Sequence, residues 1–155
     1  MGSPELLLVV DANVLVSELL RVRGRGLIGS SALDLRVSEE TLDEALHEMA
    51  RRAARIVEQG RVNRDTANTM LDDARGLIES RIVPVPREVY AGFEERASYR
   101  IPRDRNDVPT VALALAFGGD EGRCGIWTSD QDFLGCGVPT WTTETLLAHL
   151  RYQGE

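Results

Sequence analysis

The chain has 155 residues, of which 43% are hydrophobic and 28% charged, and these values are typical of one globular domain spanning 1–155. No apolar run approaches the roughly 20 residues that cross a bilayer, and no secretory signal is visible, so we expect a cytoplasmic protein without a membrane partner. The net charge of −7 argues against a protein that coats nucleic acid by bulk attraction, although an acidic metal site would itself contribute several of these charges.

Short apolar runs alternate with helical patterns in the first half of the chain. The run 6-LLLVV-10 is typical of a strand that is buried on both faces. The glycines of 21-RVRGRGLIGS-30 favour a loop, and Ser38 is a suitable N-cap for a long helix. In order, we predict a strand over Glu5–Asp11, a helix over Asn13–Leu20, a loop over 21–30, a strand over Leu33–Val37 and a helix over Glu39–Glu58.

The second half continues the alternation. The segment 108-VPTVALALAF-117 is apolar around its circumference, and Pro109 fits the first turn of a buried helix. In order, we predict a helix over Asp65–Glu79 entered through Asn63 or Asp65, a strand over 82–86, a helix over Val89–Ala97, a loop over 98–107, a helix over 108–117, a strand over 124–130, an edge strand over Val138–Trp141 and a helix over Glu144–Arg151.

Strands that alternate with helices predict an α/β fold with a central, mainly parallel sheet and helices on both faces, which makes three layers. In such a sheet, ligands bind beyond the carboxyl ends of the strands. Asp11 ends the first strand, Asp130 ends a later strand, and Asp107 opens the buried helix. Asp104 and Asp132 lie close to these acids in sequence. We therefore expect the acids to share one edge of the sheet.

Each acid taken alone fits an N-cap or a turn, but the set as a whole needs another explanation. Two unit charges about 4 Å apart repel by roughly 1 kcal/mol in water and by roughly 4 kcal/mol at an effective dielectric of 20. Several carboxylates in one cleft therefore require a cation or must stay partly protonated. Oxygen ligands without histidine or cysteine indicate Mg²⁺ or Mn²⁺, which can orient a phosphate and activate water.

Three segments resemble the PIN-domain family of metal-dependent ribonucleases specific for single strands, which includes the VapC-type toxins of toxin–antitoxin pairs. The segments are 8-LVVDANVL-15, 103-RDRNDVPTVALALA-116 and 126-IWTSDQDF-133. They occur in the family's order, and the likeness extends from Glu5 to about Leu150. The resemblance implies a PIN-like three-layer fold and hydrolysis of single-stranded RNA to 5′-phosphate and 3′-hydroxyl ends.

The resemblance also implies roles for individual residues. Asp11, Asp107 and Asp130 match metal-binding catalytic acids, Asn13 and Thr128 match supporting polar groups, and Asp132 matches an auxiliary metal ligand. Many members carry a second acid directly after the position of Asp107, but this chain has Val108 there. That departure gives Asp104 a supporting role.

The family also has a glutamate on the helix after the second strand. The segment 38-SEETLDEALHEM-49 offers Glu39, Glu40, Glu44 and Glu48, and Glu44 matches best as a catalytic and metal-binding acid. Helical geometry supports this choice only in part, because Glu44 lies about 200° around the helix from Leu42 at 100° per residue. A solvated acidic face remains the alternative for this helix.

Cations for the RNA backbone must be arginines, because the sequence contains no lysine. Arg96, Arg100, Arg103 and Arg105 surround Tyr99 just before Asp107, and Arg21, Arg23 and Arg25 follow the first helix. The arginines could contact phosphate, and Tyr99 could stack on a base. Solvated loop arginines that balance an acidic protein are the alternative.

Two further readings compete with the ribonuclease. A haloacid-dehalogenase-like phosphatase also begins with a strand that ends in aspartate, but it needs a second aspartate where this chain has Asn13. It usually needs a lysine as well, and receiver domains need one too. The second competing reading is a PIN-like binding module without catalysis. If the chain is a toxin, we expect an antitoxin protein as partner, and the resemblance implies a homodimer.

Overall fold

The structure, a computed structural model, describes residues 5–152. Five parallel strands form one sheet in the order β3-β2-β1-β4-β5. This confirms the predicted α/β fold with a central parallel sheet. The strands are β1 (Leu6–Val10), β2 (Leu33–Ser38), β3 (Ile82–Val85), β4 (Gly125–Trp127) and β5 (Thr140–Trp141).

Helices cover both faces of the sheet. None of the helices within residues 5–152 combines the length and the apolar character that a membrane span requires. The helices are α1 (Ala12–Glu18), α2 (Val22–Ile28), α3 (Glu39–Glu58), α4 (Arg64–Arg81), α5 (Arg87–Tyr90), α6 (Glu94–Arg100), α7 (Val108–Ala116) and α8 (Thr143–Tyr152).

The central strand β1 contributes to two separate cores because its side chains alternate between the faces of the sheet. Leu8 and Val10 pack on one face with residues of α1, α2, α3, α4 and α8. Val9 packs on the other face with residues of α5, α6 and α7. All three side chains are fully buried. The unbroken aliphatic run of β1 is therefore required by burial on both faces, and the fold has three layers.

The loop predicted over 21–30 is wrong, because most of this segment forms α2. Leu27 and Ile28 are buried in the core, and that burial favours a helix despite three glycines. Gly24 allows close packing against α1, since a Cβ at this position would lie 2.3 Å from the carbonyl oxygen of Glu18. Gly24, one of the glycines that indicated a loop, thus lies at the contact between α1 and α2.

The region before α7 is more helical than predicted. The helix predicted over Val89–Ala97 is divided by a 3₁₀ turn at Ala91–Phe93, and α6 continues to Arg100. The loop predicted over 98–107 therefore begins three residues too early. Ile101 has φ −136° and ψ 71°, as expected for a residue disfavoured from the helical region by the following Pro102. The loop also contains a 3₁₀ turn at Arg105–Asp107.

Polar caps define the beginnings of the two long helices. Ser38 Oγ accepts a hydrogen bond from the backbone N–H of Thr41 at 3.0 Å, which confirms Ser38 as the cap of α3. Asn63 Oδ1 accepts from the N–H of Thr66 at 2.8 Å and caps α4. These local bonds satisfy N–H groups that have no partner within the helix.

Candidate active site

Asp11 is held at the carboxyl end of β1 by the neighbouring strand. Its backbone N–H donates to the carbonyl of Trp127 at 3.0 Å, and its Oδ2 accepts from Thr128 Oγ1 at 3.0 Å. The residue is only 4% exposed. Burial raises the pKa of Asp11, the hydrogen bond from Thr128 opposes that rise, and the charges of Asp130 and Glu44 add to it.

The turn after β4 places Asp130 beside Asp11. Thr128 Oγ1 accepts from the N–H of Asp130 at 3.0 Å while it donates to Asp11. Asp130 Oδ1 in turn accepts from the N–H of Asp132 at 2.9 Å, and the buried side chain of Phe133 anchors the turn. One threonine hydroxyl therefore connects two of the predicted catalytic acids.

Asp107 completes the cluster from a different part of the chain. It ends the 3₁₀ turn before α7, and its side chain makes no capping hydrogen bond. Partial burial, followed by the charges of Asp11, Asp104, Asp130 and Asp132, raises its pKa to about 7. Asp107 therefore lies within electrostatic reach of four other predicted acids. We call Asp11, Asp104, Asp107, Asp130 and Asp132 the acidic cluster.

Glu44 projects from α3 toward this edge. Its side chain is exposed, yet its charge contributes to the raised pKa of Asp11. Glu48, one turn further along α3, is instead bound to Arg51 at 3.0 Å. Of the four glutamates in 38–49, Glu44 is thus the one whose charge acts on Asp11.

The predicted supporting residues differ in their surroundings. Thr128 is buried between Asp11 and Asp130, as described above. Asp104 is exposed, and its Oδ1 caps the 3₁₀ turn by accepting from the N–H of Asn106 at 2.9 Å. Asn13 is exposed on the first turn of α1, and its side chain makes no hydrogen bond within residues 5–152.

The predicted RNA-binding residues divide into two groups. Arg103 reaches the acidic cluster and contacts Asp132 Oδ1 at 3.0 Å, and Tyr99 and Arg105 are exposed nearby in the chain. Arg100 instead binds Asp120 at 2.6 Å and 3.0 Å and the carbonyl of Cys136 at 3.2 Å. Asp120 follows the end of α7 whereas Asp107 precedes its start, so Arg100 is engaged away from the acids.

Three of the four other predicted arginines also have local partners. Arg96 contacts Asp120 at 3.5 Å. Arg23 lies 3.5 Å from both Glu18 and Glu144, and Arg25 donates to the carbonyl of Leu19 at 3.3 Å. None of these contacts joins the arginines to the acidic cluster.

Sequence reasoning gave no role to Glu18, although its carboxylate is only 4% exposed. Its Oε1 accepts from Thr143 Oγ1 at 3.1 Å, and Thr143 Oγ1 accepts from the indole N–H of Trp127 at 3.2 Å. Its Oε2 has no hydrogen-bond partner in the part of the chain that the structure describes. A single acid in the apolar segment 14-VLVSELL-20 was the available signal, because buried carboxylates require partners.

The donor chemistry of the acidic cluster and Glu44 fits a hard divalent cation. All of the donors are carboxylates, and burial together with the charges of the neighbouring acids raises the pKa of Asp107. Within residues 5–152, no three histidine, cysteine or acidic side chains are arranged so that they could already hold a metal ion. The carboxylates would therefore have to move toward a cation as it binds.

A family model described as a PIN domain matches residues 9–151 of the chain. The matched range includes Glu44 and all five residues of the acidic cluster. No curated protein matches the chain.

Proposed function

The chain belongs to the PIN-domain family, whose members are generally nucleases, and on this premise we propose that it hydrolyses phosphodiester bonds in single-stranded RNA with Mg²⁺ or Mn²⁺. The observation that carries the proposal is the pKa of about 7 at Asp107 among four other acids. Burial and the neighbouring carboxylates both oppose the ionisation of Asp107, and acids crowded in this way are typical of sites that bind a cation or take part in a reaction.

We assign the metal to Asp11, Glu44, Asp107 and Asp130, with Asp132 as an auxiliary group. Members of this family typically use divalent ions. A cation held there supplies positive charge that orients a phosphate, activates water and stabilises the charge of the transition state. The chain itself holds Asp11 in place through Thr128 and the carbonyl of Trp127. The first ligand is thus oriented before substrate arrives, which avoids reorganisation during the reaction.

Hydrolysis by water also agrees with the state of Cys124, a buried thiol that directly precedes β4. Burial raises the pKa of the Cys124 thiol to about 12, so its reactive thiolate is scarce at neutral pH. Arg103 and Arg105 are exposed close to Asp107 and are suited to donate to phosphate, while Tyr99 is suited to stack on a base. Asp104 and Asn13 would support the site through polar contacts.

The proposal extends to the biological setting of the activity. By likeness to VapC-type members of the family, the chain would act as the toxin of a toxin–antitoxin pair, as a homodimer in the cytoplasm. Copurification of a small protein encoded beside it, with inhibition of cleavage, tests this part. An enzyme that works without such a partner would instead be a free-standing RNA-processing nuclease.

The first test is cleavage of a single-stranded RNA pool by the wild type and by Asp11→Asn. We expect activity that EDTA abolishes, that Mn²⁺ restores and that the variant lacks, with 5′-phosphate and 3′-hydroxyl product ends. Asp34→Asn is the control, because Asp34 lies on β2 and binds Arg36 at 2.8 Å. Equal activity in Asp11→Asn would refute the assignment.

Two further comparisons separate the competing functions. Turnover of p-nitrophenyl phosphate without RNA cleavage would favour a phosphatase, and RNA binding without cleavage would favour a binding module. Glu44→Gln and Glu48→Gln each remove one negative charge, at positions one helical turn apart on α3. We expect only Glu44→Gln to weaken Mn²⁺-dependent cleavage, because only Glu44 acts on Asp11.

A further inference from the structure

A cleft of about 390 Å³ opens beside the acidic cluster, and Arg105 is the only one of its lining residues that the proposed mechanism uses. Val108, in its wall, directly follows Asp107, and Glu40 lies about one helical turn, four residues or about 6 Å along the axis, before Glu44. A strand that places its phosphate among the acids would therefore bring a neighbouring nucleotide to this cleft. The lining residues are Glu40, Arg87, Glu94, Ser98, Arg105, Val108 and Pro109.

The walls of the cleft present both signs of charge. Arg87 Nε donates to Glu94 Oε1 at 3.0 Å, so these two side chains largely satisfy each other. Glu40 and Arg105 are exposed, and neither side chain makes a hydrogen bond or ion pair with another residue of the described range 5–152. The cleft therefore offers a carboxylate that can accept and a guanidinium that can donate, next to the apolar surface of Val108 and Pro109.

This combination suits one nucleobase better than the others. Guanine presents two adjacent donors, N1–H and the 2-amino group, which a carboxylate can accept together. It also presents O6 and N7 as acceptors, the usual target of arginine. Adenine and cytosine would place a ring-nitrogen lone pair against the carboxylate, and uracil lacks the amino group. We infer that the cleft binds a guanine base next to the scissile phosphate, with Glu40 and Arg105 as the residues that read it.

The inference rests on the proposed nuclease function for its biological meaning, but binding can be measured without cleavage. A fluorescent single-stranded RNA with one guanosine is compared in EDTA with the same RNA carrying inosine, which lacks only the 2-amino group. For the wild type we expect the guanosine RNA to bind at least about fivefold more tightly, at the lower end of discrimination for a good bidentate contact. Equal affinities would overturn the inference.

Glu40→Gln should reduce this guanosine-to-inosine ratio to about one. Glu39→Gln is the matched control, because Glu39 precedes it in the same helical turn, is exposed and does not line the cleft. Both variants remove one negative charge and should raise the affinity for all RNA alike, so the ratio isolates the contact. A ratio that Glu40→Gln leaves unchanged, or that Glu39→Gln lowers equally, would contradict the assignment.

A second base analogue tests the proposed contact of Arg105 independently. RNA with 7-deazaguanosine lacks the N7 acceptor, and we expect wild type to bind it less tightly than the guanosine RNA. Arg105→Gln should remove that difference, whereas Arg96→Gln should keep it because Arg96 contacts Asp120 outside the cleft. Discrimination without any cleavage in Mn²⁺ would retain the guanine cleft and refute the nuclease. Cleavage without discrimination between these RNAs would retain the nuclease and refute the guanine cleft.

Discussion

Asp11 and Glu18 stand at the two ends of α1, and each is 4% exposed, yet their surroundings are opposite. Asp11 has one hydroxyl donor, Thr128, and is surrounded by carboxylates that repel it. Glu18 accepts from Thr143 and has Arg23 at 3.5 Å. Equal burial thus coincides with repulsion at one end of a short helix and with attraction at the other.

This difference distinguishes Asp11, which we propose for catalysis, from Glu18, whose contacts are structural. A buried charge is costly unless hydrogen bonds or opposite charges compensate for it. Glu18 receives much of that compensation within the chain, although its Oε2 has no hydrogen-bond partner among residues 5–152, and it joins α1 to α8 and β4. Asp11 receives only part of it, which agrees with the cation that we propose for this site. Substitutions at the two ends should therefore affect different measurements.

The largest expected effect is the loss of RNA cleavage in Asp11→Asn. Asparagine retains an oxygen that can accept from Thr128, so the fold should persist while the charge for the cation is lost. We expect a decrease in kcat of about 10²- to 10³-fold, the size typical of removing one electrostatic contributor to catalysis. Single-turnover cleavage in Mn²⁺ measures the effect. An Asp11→Asn protein that is unfolded by circular dichroism would contradict the comparison.

The next effect is a loss of stability in Glu18→Ala. Removing the carboxylate leaves Thr143 without its acceptor and opens a cavity, so the free energy of unfolding should fall by about 3 kcal/mol. Glu18→Gln keeps an acceptor and should lose less. Glu144→Ala is the control, because Glu144 contacts the same Arg23 but is exposed. Urea denaturation measures all three, and cleavage by folded Glu18→Gln should stay close to that of wild type.

A third effect is a decrease in stability with rising pH in the absence of metal. An aspartate releases its proton near pH 3.8 in the unfolded chain, but native Asp107 retains it to about pH 7. The native state binds more protons between these values, so the free energy of unfolding falls as the pH rises from about 4 to about 7. The raised pKa of Asp11 acts in the same direction.

Denaturation in EDTA at several pH values measures this decline. Asp107→Asn should flatten it, and the exposed neighbour change Asp104→Asn should flatten it less. Saturating Mn²⁺ should also reduce the decline, because a cation favours the charged carboxylates. If Asp107→Asn and wild type lose the same stability over this range, the repulsion inferred at the site is absent.

The smallest expected effect is that of Arg103→Ala. Its ion pair with Asp132 is exposed, and such pairs contribute about 0.2–1 kcal/mol, so thermal stability should barely change. If Arg103 contacts phosphate, RNA affinity should weaken for all sequences and the salt dependence should decrease by about one ion. Anisotropy titrations at several salt concentrations test this, with Arg100→Ala as comparison because Arg100 is bound to Asp120.

The parts of the fold that depend on local sequence were predictable. The aliphatic run of β1, the cap at Ser38 and the apolar circumference of α7 each specify an element through neighbouring residues. The limits of α3 were found correctly for this reason. The position of Asp11 at the carboxyl edge followed from the parallel sheet, since all strands of such a sheet end at one edge.

The parts that depend on distant contacts were not predictable. Gly24 suggested a loop, but the burial of Leu27 and Ile28 and the close approach of Gly24 to Glu18 explain why α2 forms there. Arg100 resembled its neighbours in composition, but its partner Asp120 is 20 residues away. The side of α3 that faces the acids depends on how the helix packs on α1. Helical periodicity alone therefore could not decide which of the four glutamates in 38–49 lies near the acids.

The hydrogen bond between Thr128 and Asp11 closes a span of 117 residues. During translation the amino-terminal part of a protein emerges and folds first, so β1 cannot pair with β4 until Gly125–Trp127 has left the ribosome. A nascent chain that ends at α6 already contains Asp11 and Glu44 but lacks Asp107, Thr128 and Asp130. If the chain cleaves RNA as proposed, a nascent chain of this length should be inactive, because two of the proposed metal-binding acids and the threonine that orients Asp11 are still missing.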